Sequence, residues 1–220
     1  MIKTGGQIIF TKGYWWIVVC YTLPQIIYYL LESVFFSVYA NDVLLDYSLP
    51  GIFLGSANVG EMIGAIFHLT LGPRVKEFFW WTRGYAFFLN IFWFFPFIYT
   101  DTPLTFALAM IPPIACLNAG WSSSDISILS YIQSSFPEDE ENPDNNKLPA
   151  VIGFLYTLFS LTAAVLSFAI GEVLDVFLVQ NRLREGFIYL PATWLSAMSV
   201  LIMIVTFTVK RPAPIKEMHH

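Results

Sequence analysis

Charge is scarce in this sequence. Asp, Glu, Lys and Arg make up 12% of the 220 residues, against about 25% in an ordinary soluble domain, which excludes a conventional water-soluble fold. Histidine occurs 3 times, with two copies, His219 and His220, at the end of the chain. No cluster with metal-ligand spacing, phosphate loop or dinucleotide fingerprint occurs, so no cofactor and no metal are expected. The 2 cysteines, Cys20 and Cys116, fall within apolar stretches, so a disulfide framework is not expected and the redox compartment stays undefined. No Asn stands before x-Ser/Thr, so glycosylation sites do not orient the chain. No nucleic-acid partner is expected.

What fills the chain instead is apolar: 56% hydrophobic residues and 18% aromatics. Apolar runs near 20 residues are long enough to cross a hydrocarbon core of roughly 30 Å. Six such runs lie at about 14–40, 49–71, 84–100, 103–135, 149–177 and 187–209. The fold class read from them is all-α, a polytopic membrane protein with a segment at 1–13 before the spans, a transmembrane domain at 14–209 and a tail at 210–220. The first run is too long for a signal-peptide core and reads as an uncleaved signal anchor.

The net charge of −5 mostly reflects the acidic loop at 136–148, which contains PEDEENPDNNKL. Lys and Arg are more informative. If the N-terminus is inside, nine of the eleven basic residues are cytoplasmic: Lys3 and Lys12, then Arg74, Lys76 and Arg83, Lys147, and Lys210, Arg211 and Lys216. Only Arg182 and Arg184 lie outside. This positive-inside bias predicts that both termini are cytoplasmic.

Polar residues inside the spans are few and patterned. In the first span, broken in regularity by Pro24, Tyr21, Gln25, Tyr28 and Glu32 recur at offsets of four, three and four and form one stripe. In the second, Gly51 lies over Gly55 and Gly60 over Gly64, a thin face for close packing, while Asn58, Glu61 and His68 share a neighbouring face. A basic, Trp-rich turn follows, with Gly72, Arg74, Lys76, Trp80, Trp81 and Arg83. The third span carries Asn90 alone among strongly polar residues and reads as lipid-facing, and the sixth carries only hydroxyls, Thr193, Ser196, Ser199 and those near its end. Pro112 and Pro113 should kink or unwind the fourth, whose second half aligns Asn118, Ser122 and Asp125. The fifth carries a small-residue seam of Gly153, Thr157, Ser160, Ala164, Ser167 and Gly171, which asks for a partner helix. Glu32, Glu61 and Asp125 weigh most, because an ionised carboxylate at the bilayer centre costs roughly 2.5–3.5 kcal/mol on insertion scales.

Polar stripes on spans one and four, small-residue seams on two and five and lipid-like spans three and six suggest two three-helix repeats, the second inverted. In this architecture the chain resembles one six-helix half of a major facilitator superfamily transporter, more specifically the C-terminal half of a fungal-type member. Gly72, Arg74, Lys76, Arg83 and Gly84 match part of that family's signature turn between spans two and three; Pro73 stands near where its acid belongs. The resemblance implies a gating turn at Gly72, Arg74, Lys76 and Arg83, and a substrate path lined by Gln25, Tyr28, Glu32, Asn118, Ser122 and Asp125. Glu61 and His68 would serve proton coupling or the boundary between halves, and the glycine face of span two would be where a second half packs. It further implies alternating access around a small-molecule solute, with or without proton coupling, and a second six-helix half: a missing part of the same chain, a second copy or a separate subunit.

Two other classes stand beside transport. A six-span accessory or scaffold protein would use the same seams. An intramembrane serine protease of rhomboid type is poorly matched: Gly120, Trp121, Ser122 and Ser123 imitate its nucleophile motif, but the sixth span has no His to serve as base. The chain is therefore not read as an enzyme. Nor is it read as a water channel, since its Asn142–Pro143 pair lies in the acidic loop.

Overall fold

A computed structural model describes residues 2–11, 13–75, 77, 79–97, 102–136 and 147–209. Lys12, Lys76, the acidic loop at 137–146, residues 98–101 at the end of the third run, and the tail with Lys210, Arg211, Lys216, His219 and His220 lie outside the described residues. Among those described there is no strand; the elements are helices. We number them α1 (Ile2–Thr11), α2 (Trp15–Asp42), α3 (Pro50–Leu71), α4 (Phe79–Phe88, continuing as a 3-10 helix over Leu89–Phe97), α5 (Pro103–Ser135), α6 (Leu148–Val179) and α7 (Leu183–Thr208).

Five of these, α2, α3, α5, α6 and α7, are long and apolar enough to cross a membrane. The chain is thus a multi-pass helical, integral membrane protein. Side-chain pairs give the directions. Gln25 meets Asp125, so α2 and α5 are antiparallel where Tyr28 in turn meets Trp121. Gly60 and Gly64 meet Ala115 and Ala119, so α3 and α5 are parallel. Thr82 meets Ser124 and Gly120 lies against Phe88, so α4 runs against α5; Arg83 meets Thr206 and Asn90 meets Ser199, so α7 runs against α4.

Along the α3–α5 seam two helices approach almost backbone to backbone. A Cβ on Gly60 or Gly64 would overlap the carbonyl oxygens of Ala115 and Ala119, and Ser123 Oγ donates to the Gly64 carbonyl at 2.9 Å. Half of the glycine face expected to receive a second half is therefore used within this chain. Gly51 and Gly55 have nothing within 4 Å of where a Cβ would stand. They keep the outward role.

Other expectations change in instructive ways. Residues 2–11 form a helix, not merely a polar lead-in, because Ile9 buries fully and Phe10 meets Phe154 of α6 edge-on at 6.3 Å. The irregularity of the first span is larger than Pro24 alone suggests. Turns at Val18–Thr22, Leu31–Phe36 and Tyr39–Val43 widen to π-helix, and such bulges favour functional sites. The fourth span, by contrast, stays α-helical through Pro112 and Pro113, so no unwound turn forms there. The third span begins at Phe79, earlier than its apolar run. It is not simply lipid-facing: Asn90 Nδ2 donates to Ser199 Oγ at 3.0 Å, Trp93 Nε1 to Ser196 Oγ at 2.6 Å, and Ser199 Oγ to the Ala86 carbonyl at 2.7 Å. Hydroxyls on α7 that looked incidental in sequence form a ladder with α4.

In the loop between α2 and α3, Asp46 accepts from the Ser48 backbone N–H at 2.9 Å and from its hydroxyl at 2.7 Å. These bonds favour the ionised form and hold the Asp46 carboxyl below its usual range.

Candidate functional site

Two apolar cores stack along the bundle, and polar groups fill the level between them. One core includes Ile26, Leu30, Phe53, Met110 and Leu117; the other includes Ile17, Cys20, Ile128, Tyr131 and Leu155. On α2 the change of core falls between Cys20 and Ile26, and on α5 between Leu117 and Ile128. Tyr21 and Gln25 of the α2 stripe and the Asn118–Asp125 stretch of α5 meet there, and Tyr28 and Glu32 continue the stripe alongside the first core.

Gln25 Nε2 donates to Asp125 Oδ1 at 2.6 Å. One turn along, Tyr28 and Trp121 stack with centroids 3.9 Å apart and planes within 11°. The Tyr28 hydroxyl interacts with the carboxylates of both Glu32 and Glu61, Glu61 is close enough to feel Glu32, and Asp125 feels Glu61. Two carboxylates therefore meet at one phenol, and the third, Asp125, joins them through Glu61, so that three helices contribute to one cluster. Oε1 of Glu32, Oε1 of Glu61 and Nε1 of Trp121 are buried without a hydrogen-bond partner among the described residues. Buried polar atoms are partnered in the great majority of cases; of seven such unpartnered atoms among the described residues three gather here, the others standing singly on Thr22, Asn41, His68 and Ser167. Widening of α2 over Leu31–Phe36 carries Glu32 into the cluster.

Of the residues expected to line a path, Gln25, Tyr28, Glu32 and Asp125 are thus brought together, and Glu61 joins them. Asn118 is buried and turns its amide back to the Ile114 carbonyl at 3.0 Å. Ser122 is buried beside Trp121. His68 is not part of the group: it lies about 10 Å along α3 from Glu61 at 1.5 Å per residue, with its ring 5.1 Å from that of Trp81.

The expected gating turn divides. Gly72–Arg74 forms a single 3-10 turn, with Gly72 against His68 and Arg74 exposed; Lys76 lies outside the described residues. Arg83 stands inside α4. It pairs with Glu77 at 3.2 Å, donates to the Thr206 carbonyl at 2.7 Å and lies 4.0 Å over the Phe207 ring. Those contacts fasten the end of α7 to the start of α4. Glu77 supplies an acid within this turn, between Arg74 and Arg83.

Glu77, and the role of Trp121 as the stacking partner of Tyr28, are what sequence reasoning passed over. That role could have been found from the position of Trp121 one turn before Asp125, and Glu77 from its place between two arginines.

An all-helical membrane bundle with a central carboxylate cluster is the class the fold and site define. Comparison with known proteins narrows it no further: the chain matches no protein-family model, no curated protein and no solved structure.

Proposed function

We propose that the chain is one six-span half of a secondary transporter of the major facilitator type, moving a small solute by alternating access with proton coupling. The observation that carries this reading is the cluster of Glu32, Glu61 and Asp125 near the middle of three helices, Glu32 and Glu61 meeting at Tyr28 and Asp125 lying close to Glu61, with an oxygen of Glu32 and of Glu61 left unpartnered. Intramembrane acids are costly unless neutralised, paired or wetted, and they mark substrate and proton pathways by default. Glu32, Glu61 and Asp125 carry the proton; Gln25 orients Asp125, and the Tyr28–Trp121 pair forms an aromatic wall for the solute.

The sixth span in this reading is α4. Ten α-helical residues at 1.5 Å and nine 3-10 residues at 2.0 Å reach roughly 33 Å, enough for a hydrocarbon core of about 30 Å. The opposed directions of α2 and α5, α4 and α5, and α4 and α7 fit this count; two triplets of an odd number of spans are then inverted to one another, both termini share a side, and the positive-inside bias makes that side the cytoplasmic one. The open Gly51 and Gly55 face and the exposed α6 are where a second half packs.

The exposed α6 also favours a second reading, a non-transporting scaffold that recruits another helix. Reconstitution of the full chain into proteoliposomes separates the two. Addition of small solutes from a panel should drive proton movement reported by an internal pH dye, and the double variant Glu32→Gln with Asp125→Asn should abolish it. Solute entry that ignores an imposed pH gradient would remove the coupling; no solute entry across the panel, with Tyr28→Cys inert to water-borne thiol reagents, would favour the scaffold.

A further inference from the structure

A second feature lies on the outside of the bundle, away from the carboxylates. A half-open, almost wholly apolar groove of about 390 Å³ runs between α3, α4 and α5, within the range of roughly 300–1,000 Å³ typical of small-molecule pockets. Ile63 and Phe67 form one wall, Trp80, Trp81 and Phe88 another, and Cys116 the floor. Its polar contribution, Ser123, is already committed to the Gly64 and Ala119 carbonyls. A helix, about 10–12 Å across with side chains, is too wide for it. A single flexible hydrocarbon chain is not.

One end of the groove is set by Val75 and Trp80 at the basic turn; the other reaches Phe88 and Ala115, well inside the helices. Two arginines mark the turn, and they differ. Arg83 is consumed by Glu77, Thr206 and Phe207. Arg74, next to Val75, is exposed and makes no ion pair or hydrogen bond among the described residues. Glu77 is balanced by Arg83, which leaves the turn positive at the mouth of an apolar slot. Basic residues flanking an apolar cleft between membrane helices recognise anionic lipid headgroups.

We propose that this groove holds one acyl chain of an anionic phospholipid whose phosphate is bound by Arg74. The chain lies along Phe67, Trp81 and Cys116, and Trp80 sits at headgroup level as interfacial tryptophans do.

The test uses the purified full chain in detergent, titrated with an equimolar mixture of dioleoyl phosphatidylglycerol and dioleoyl phosphatidylcholine and read by native mass spectrometry. One phosphatidylglycerol should be retained at least ten-fold in preference to phosphatidylcholine. Arg74→Gln should bring that preference close to one while a lipid of either kind is still held. Cys116→Phe, which fills the floor, should remove the retained lipid altogether; Gly84→Leu, which fills the slot from α4 where nothing lies within 4 Å of a Cβ, should do the same if the first variant folds poorly. Equal retention of both lipids by the unaltered chain, an unchanged preference in Arg74→Gln, or displacement of the lipid by glycerol phosphate alone would overturn the proposal.

Discussion

Between α4 and α7, Asn90, Trp93, Ser196 and Ser199 satisfy one another, and Arg83 is held by Glu77 and Thr206. Between α2, α3 and α5, Glu32, Glu61 and Trp121 each keep a buried polar atom without a partner. Both regions place polar groups in the same apolar bundle. The first is closed, so its polar groups act as interhelical fasteners. The second is open, and an unsatisfied buried polar group costs about 1–3 kcal/mol, which a fold retains where the group has another use. Completeness of hydrogen bonding, more than polarity, separates structure from function here.

Substitutions should divide along that line. The largest effect is expected in the open cluster: Glu61→Gln or Asp125→Asn should cut proton-coupled uptake at least about ten-fold, in keeping with the role of intramembrane acids, while thermal unfolding in detergent stays unchanged or rises. A parallel loss of stability would erase the distinction. Next comes Gly64→Leu, which forces α3 away from Ala119 and moves Glu61 with it; overpacking of this kind costs about 1–3 kcal/mol, and both unfolding temperature and uptake should fall. Arg83→Ala should cost about 1–3 kcal/mol, since Glu77 and the Thr206 carbonyl lose their donor in a partly buried site, with uptake per folded molecule retained. Asn90→Leu should cost only about 0.6–1.7 kcal/mol, the range for polar contacts between membrane helices, again with uptake retained.

The smallest effect lies outside the membrane. A carboxyl held low when folded stabilises above its unfolded pKa of about 3.9, and that contribution disappears as pH falls through the folded value. Ser48→Ala should therefore lower stability slightly at neutral pH, with the difference from the unaltered chain vanishing in acid. A difference that grew toward low pH would contradict the Asp46–Ser48 turn.

The open cluster was largely legible in sequence and the closed ladder was not. Offsets of three and four place Gln25, Tyr28 and Glu32 on one face, and an acid within an apolar run stands out, so Asp125 and Glu61 were found without coordinates. Periodicity is blind to which helices pair. It gave Asn90 no partner, left Ser196 and Ser199 as incidental hydroxyls, and assigned Gly60 and Gly64 to an outside partner when α5 takes that place. Nor does spacing reveal π-turns, which depend on how α2 fits its neighbours. The helix at Ile2–Thr11 was missed because its support, Phe154 on α6, is remote in sequence.

The most direct test of the contrast is water access to each region. In a background of Cys20→Ala and Cys116→Ala, single cysteines at Tyr28 and Ser199 should be treated in membranes with a water-borne thiol reagent. The account predicts that Tyr28→Cys is labelled and Ser199→Cys is not. Equal labelling of the two, or labelling of Ser199→Cys alone, would contradict it.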